Sequence, residues 1–469
     1  MQTKLSTILL LFFSCSTLCY AQTNHGFTFD NYSGIYGVTS NPANSVDSKY
    51  SIHINLLSFN QFGVSDIGRI PNFEVETAPN GFNGLDFSEN LTNGSPNGAA
   101  LGHTDIFLPS VVWSFNENFA VGLLTRSRSF YDYNDISSDL LKTANRSELE
   151  DPSTFINSQL NNTTQSWTEV GLNLSAVLIN SNNHFIKFGV TGKYYMGAGA
   201  NEVRGSLEGE YSESGDIILT TEEDMPLVSL NTYPTSTDDP SSTTFTSTIF
   251  DFSQLGTGFG GDVGFVYEWR PRETNRVGVR TNSGAVNKYK LKVSASVLDI
   301  GEIEYKNEVA TPVRRDEITL NNATIPQTSI TAENGLISAL IENGDVMSSQ
   351  GDVTFALPMS LHLNLDYIIL NNNNYYININ YINGLTKVSD QYTNTQLNLI
   401  TVTPRYETRK LSVYLPINYQ ETGGISAGLG ARFGPISVGA AALSSLFTDG
   451  KMRHLYFGLS IPLLKDLYR

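Results

Sequence analysis

Residues 353–367 read VTFALPMSLHLNLDY, with an apolar side chain at every odd number: Val353, Phe355, Leu357, Met359, Leu361, Leu363, Leu365 and Tyr367. Strict alternation marks a strand with one apolar face. The same period recurs along the chain. Tyr375, Ile377, Ile379 and Tyr381 alternate with Asn378 and Asn380; Leu411, Val413, Leu415, Ile417 and Tyr419 alternate with Ser412 and Asn418; Leu455, Phe457, Leu459 and Ile461 alternate with His454, Gly458 and Ser460. About fourteen such segments can be marked, each boundary uncertain by a few residues.

The links between them also follow a rhythm. Long connections after the strands near 50–59, 119–130, 184–199 and 291–300 take turns with short ones at 116–118, 180–183, 371–374, 408–409 and 434–435. A β-sandwich or β-helix also yields alternation, but neither requires long and short links to take turns. A barrel with extracellular loops at one end and periplasmic turns at the other does. The expected fold is therefore all-β: a transmembrane antiparallel β-barrel of about 14 strands with an N-terminal plug segment inside the lumen. For 353–367 this places lipid on the odd face and the lumen on the even face.

Residues 1–21 carry Lys4, an apolar run at 9–13 and a small residue, Ala21, before Gln22, the pattern of a secretory signal peptide. Both cysteines, Cys15 and Cys19, fall inside it. Leu18 ahead of Cys19 and the short run before Cys15 argue against a lipid-modified cysteine. After it, no apolar run nears the roughly 18 residues of a spanning helix. The expected organisation is a signal peptide at 1–21, a hatch at 22–49 and a barrel at 50–469, in the outer membrane of a Gram-negative bacterium. Composition agrees: 23 Tyr, 25 Phe and 39 Gly accompany only 16% charged residues. A net charge of −17 excludes nucleic acid as an expected partner, because phosphate binding needs clustered Lys and Arg.

Candidate chemistry is sparse. Residues 256–261, GTGFGG, match a dinucleotide loop in letters only, because a strand pattern follows where a helix is needed. Six scattered histidines show no metal-binding spacing, and no nucleophile elbow occurs, so no catalytic residue, metal or cofactor is expected. A membrane-embedded hydrolase would need a Ser or Asp beside a His on neighbouring strands. Charges within strands are more informative, since on the lipid face each is costly and so belongs inside. Lys288, Lys290 and Lys292 share a face, as do Arg126 and Arg128, and Lys187 and Lys193; Asp366, Glu169, Asp262, Glu268, Arg405 and Arg432 extend the set. They form either a network of lumen ion pairs that fills the barrel, or the wall of a polar passage or a cluster holding an internal plug. Tyr375, Tyr376, Tyr381 and Tyr456 are placed in the interfacial girdles, and 331–343 as a short outer-loop helix.

Residues 31–44, NYSGIYGVTSNPAN, hold too many turn formers for a lipid-facing strand. Tyr32, Ile35, Tyr36 and Val38 nevertheless need cover, which a place inside the barrel supplies. Asn41, Pro42, Ala43 and Asn44 form a rigid turn, because proline fixes its own φ and restricts the residue before it.

The run Tyr32 to Val38, followed by Asn41-Pro42-Ala43-Asn44 and a strand, resembles the start of an uncharacterised Bacteroidota outer-membrane barrel family. Residues 258–272, GFGGDVGFVYEWRPR, and 297–305, VLDIGEIEY, resemble it too. That family is similar to the FadL-type long-chain fatty acid transporters and to PorV-type barrels of the type IX secretion system. The resemblance implies fourteen strands and a hatch containing Asn41, Pro42 and Ala43. The partners it implies are outer-membrane lipid and either a hydrophobic small molecule passing through a FadL-like channel or, for a structural or docking barrel, a secreted or surface protein.

Overall fold

In the computed structural model, alternation becomes wall. The described residues are 26–66, 97–137, 154–181, 183–211, 217–221, 227–231, 256–271, 287–314, 318–320, 345–346, 349–369, 374–386, 392–394, 398–443 and 451–464. The segments read as a signal peptide (1–21) and as a loop helix (331–343) lie outside them.

Among the described residues fourteen strands form the ring, in chain order. They are β1 (Tyr50–Ser65), β2 (Asn97–Phe107, continued by Ser110–Trp113), β3 (Phe119–Ser137), β4 (Thr154–Ser181), β5 (His184–Tyr211), β6 (Gly256–Trp269) and β7 (Leu291–Arg314). Then come β8 (Ser349–Ala356 and Ser360–Ile368), β9 (Tyr375–Gly384), β10 (Leu399–Glu407), β11 (Leu411–Tyr414 and Ile417–Gln420), β12 (Gly424–Ala427 and Leu429–Phe433), β13 (Ile436–Ala440) and β14 (Met452–Leu464). Each pairs antiparallel with the next, and β1 pairs with β14 from Tyr50↔Leu464 to Val64↔Met452, closing the ring. Closure removes every sheet edge, the condition for strands to cross hydrocarbon.

The outer face is apolar and exposed: Leu172, Leu174, Phe265, Ile417, Phe457 and Ile461 alternate with buried neighbours. The wall is uneven. Strands β4 and β5 run 28 residues each, whereas β12 is built from pieces of 4 and 5. Since about 9–11 residues span a bilayer, β4 and β5 stand well beyond it.

Two local breaks correct the simple period. Residues 353–367 are not one strand: β8 is interrupted at 357–359, where Leu357 N–H donates to Gly301 O and Met359 N–H reaches back to Leu357 O. Pro358 has no N–H for the ladder. The interruption swaps faces. Ser360, His362, Asn364 and Asp366 point inward as expected, but above the break Phe355 and Leu357 are the buried, inward residues. In β7 a bulge lies between Val297 and Ile300, with Asp299 at φ 57 and Gly301 at φ 146. The bulge turns the Asp299 carboxylate into the interior, the re-aiming that bulges permit. GTGFGG is the start of β6, paired with β7.

The girdle assignment fails for two tyrosines. Tyr376 and Tyr456 are each 2% exposed, on the inner face, because the even positions of β9 and β14 face inward. Tyr375 is outward and exposed.

Candidate functional site

The candidate site is the space enclosed by the ring, and the N-terminal segment defines its geometry. Residues 26–49 hold one turn of helix, α1 (Ile35–Val38), and a 3-10 turn (Pro42–Ser45). The second turn shows why its residues are what they are. Asn41 is extended, and its Oδ1 accepts from Ala43 N–H at 3.0 Å. A side chain capping the turn and proline at its first position start it with little cost. The same amide donates to two wall carbonyls, Phe265 O on β6 and Ala295 O on β7, each at 3.1 Å. Asn173 on β4 donates to Pro42 O, and Ser45 donates to Asn173.

The wall is shaped to receive this turn. A Cβ added at Gly189 on β5 would overlap the backbone of Pro42 and Ala43; one at Gly264 on β6 would overlap Asn41 Oδ1 and stand 3.0 Å from Pro42 Cδ. Glycine is needed there for close backbone approach, not for unusual dihedrals.

Other contacts reach round the ring. Tyr36 donates to Asn55 on β1, Tyr50 donates to Tyr32 O, and Lys187 on β5 donates to Val46 O. Asp30 accepts from Arg432 on β12 at 3.1 Å and from Tyr414 on β11. Asn31 donates to Glu407 on β10 and accepts from Tyr289. Phe27, Ile35, Tyr36 and Val38 pack with Val112, Leu124, Tyr414 and Tyr456 into one apolar cluster. Tyr32, Ala43 and Asn44 complete the turn region: Tyr32 lies under the Arg432 guanidinium, Ala43 is fully buried and Asn44 donates to Gly37 O.

The inward charges pair. Arg128 meets Asp105 at 2.9 Å and Asp299 at 2.8 Å, and Arg126 meets Glu169 at 3.0 Å. Lys193 sits among Asp299 at 2.8 Å, Asp262 at 2.9 Å and Glu169 at 3.6 Å. Nearer the short-turn end, Arg405 grips Asp366 with two nitrogens, at 2.8 and 2.7 Å, and also holds Glu407. Lys288 reaches Asp47 at 3.3 Å, and Lys292 faces inward above Tyr289. Lys290 departs from its neighbours: it donates to Ile368 O and lies over the ring of Tyr367, an outward residue. The alternation holds only from Leu291, where β7 begins, so Tyr289 turns inward to Asp366.

Sequence reading missed Asp30, Asp47, Asp105, Asp299 and Glu407. A signal existed only for Asp299, whose Asp-Ile-Gly context favours a positive-φ bulge. Above the ion pairs, on the same inner face, lies an aromatic cluster of Phe130, Trp167, Tyr195, Tyr305, Phe355 and Leu357, with Tyr392 packed against it. Phe130 stacks on Trp167 at 5.3 Å between centroids, and Arg128 lies over both rings.

Ser360 Oγ and His362 Nε2 are 3.0 Å apart, and among the described residues His362 Nδ1 has no hydrogen-bond partner that would orient the ring as a base. Among the described residues no group of three or more His, Cys, Asp or Glu is placed to hold a metal.

Burial pushes the Asp30 carboxyl up, but Arg432 and Arg405 outweigh it and hold it below the ordinary carboxylate range; Lys288 and Arg270 do the same for Asp47. A depressed value means that the stability these groups add is present above the unfolded pKa near 4 and is lost as pH falls through the lower folded value. Hydrogen exchange in residues 26–49, corrected for intrinsic rate, is therefore expected to show no acceleration as pH falls from about 7 to about 5 and to accelerate only below about pH 3. Acceleration already at the upper end would contradict the assignment.

Residues 42–442 match the family described as "Family of unknown function (DUF5723)". The chain belongs to this family. The DUF5723 chain also has structural similarity to solved outer-membrane barrels. The toluene transporter TodX of P. putida is 10% identical, with 93% of this chain and 96% of that chain covered and a TM-score of 0.42. The Ralstonia pickettii toluene transporter TbuX gives 10%, 92% and 94% coverage and 0.40. A Pseudomonas aeruginosa FadL homologue gives 13%, 94% and 98% coverage and 0.42. No curated protein matches the DUF5723 chain in sequence.

Proposed function

We propose that this protein is an outer-membrane channel for apolar, ring-containing small molecules, drawn in its closed state, with residues 26–49 as the hatch. The observation that carries the reading is the inward aromatic cluster around Trp167, on the side of the ion pairs away from the segment. An interior site that needs only to fill a barrel is served by ion pairs and small residues; stacked aromatic faces suit an apolar ring. In this reading a solute enters among Trp167, Tyr305 and Phe355. It then passes when the segment swings away, or leaves sideways where the β7 bulge and the β8 break weaken the ladder.

A second reading has its own support. A lumen filled by ion pairs and by residues 26–49 suits a static barrel of PorV type that docks a secreted or surface protein by its outer loops.

Trp167 separates the two. It is the inward tryptophan, since Trp113 and Trp269 are exposed on the outer face. With those two changed to phenylalanine and the protein held in nanodiscs, naphthalene is expected to quench Trp167 saturably. Deleting residues 31–44 is expected to speed that quenching and to raise naphthalene uptake across lipopolysaccharide-containing vesicles by at least about tenfold. A silent Trp167 with unchanged uptake in the deletion would discard the channel and favour docking.

A further inference from the structure

A separate feature lies at the end of the barrel where the chain enters β1. There the N-terminal segment, the ends of β5 and β6 and the approach to β7 enclose a cavity of about 50 Å³. Five cations line it: Lys49, Lys187, Arg270, Lys288 and Lys292. Three carboxylates accompany them, Asp30, Asp47 and Glu268, so the lining carries an excess of two positive charges. The imbalance is larger in effect, because Asp30 is engaged by Arg432 and Tyr414. On a chain of net charge −17, such a basin does not follow from composition.

Its charges are held in place. Arg270 is clamped between Asp47 at 2.5 Å and Glu268 at 2.6 Å, with its guanidinium 3.4 Å above the centre of the Phe185 ring. Asp47 adopts φ 54, a left-handed conformation, while Arg270 and Lys288 hold its carboxylate. Such conformations persist where the surroundings fix them and tend to mark binding sites. Lys187 is buried, 3.9 Å from Glu268 and hydrogen-bonded to Val46 O. Lys292 makes no ion pair within 4.0 Å among the described residues; its ammonium stands 5.7 Å from the Tyr289 ring. The Ser33 and Ser48 side chains, in the same lining, are neutral donors.

We propose that this basin binds a phosphate-class oxyanion. The volume is small and suits one tetrahedral group at its base. A dianion neutralises the excess charge and accepts from several fixed donors at once, whereas a carboxylate supplies one charge and two oxygens. The group arrives either as free phosphate or carried on an organic molecule whose remainder projects from the mouth. Neither the channel nor the docking reading is required for this.

Calorimetric titration of the detergent-solubilised full barrel with inorganic phosphate tests it. Saturable binding is expected, weakened at least about tenfold by Lys288→Ala with Lys292→Ala and retained within about threefold by the paired Lys→Arg changes. Lys290→Ala, whose side chain lies outside the basin, serves as the control and is expected to leave affinity unchanged. Glycerol phosphate binding as tightly as inorganic phosphate assigns the group to an organic carrier; inorganic phosphate alone assigns it to the free ion. Absence of saturable binding to the wild-type protein, or acetate binding equally well, overturns the proposal even if the alanine pair fails to fold.

Discussion

Gly264→Val combined with Gly189→Val is expected to expel the Asn41-Pro42-Ala43 turn from the wall while leaving the barrel intact. Added Cβ atoms at these two positions meet backbone and the Asn41 amide rather than the tip of a flexible side chain, so the obstruction is not relieved by a rotamer change. The strands themselves lose nothing in hydrogen bonding, because the ladders from Gly189 to Gly264 and from Gly264 to Ser296 use main-chain groups. Valine also suits a strand better than glycine does. The turn, in contrast, loses both Asn41 bonds to the wall carbonyls and the Asn173 bond to Pro42 O. Cleavage within residues 26–49 by an added protease is expected to quicken by at least about tenfold, with heat-modifiable gel migration of the barrel unchanged. Equal protection in the double variant would mean that the segment is held elsewhere, most plainly by Asp30 and Asn31.

The second large effect concerns Lys193. Its side chain is 5% exposed, and its ammonium lies within 4.0 Å of three buried carboxylates, Glu169, Asp262 and Asp299. Lys193→Met keeps the bulk of the side chain and removes the charge, leaving Arg126 and Arg128 to balance these carboxylates and Asp105 as well. Removing one member of a buried ion pair costs about 3–5 kcal/mol, because the partner's charge stays behind uncompensated. Urea unfolding in detergent is expected to show a loss of that order. Adding Asp262→Asn to Lys193→Met is expected to recover part of it, since one of the stranded charges then disappears. A loss within about 0.5 kcal/mol would show that the carboxylates are solvated or protonated and that the pairing does not support the fold.

Much of the wall was legible beforehand. Period-two alternation is a local property, and it identified β9, β11 and β14 together with the outward faces of the residues named in them. The cost of placing charge against lipid turned Arg126, Arg128, Asp366 and Arg405 inward without any knowledge of their partners. The turn chemistry of Asn41-Pro42-Ala43-Asn44 set residues 31–44 apart from the strands.

Partners and departures from the period were not legible, because they depend on which residues meet across the ring. Asp30 meets Arg432 at a separation of 402 residues, and no spacing rule anticipates that. The face swap in β8 follows from Pro358 acting with the bulged neighbour β7, and alternation alone read straight through it. Tyr376 and Tyr456 look like girdle residues until register assigns their parity. The sequence by itself determined that this chain closes an apolar-coated antiparallel wall around polar residues, since that needs only a period and a transfer cost. The tertiary structure decided where the aromatic cluster, the ion pairs and the basic cavity lie, because each is assembled from strands distant in sequence whose register and closure bring their inner faces together.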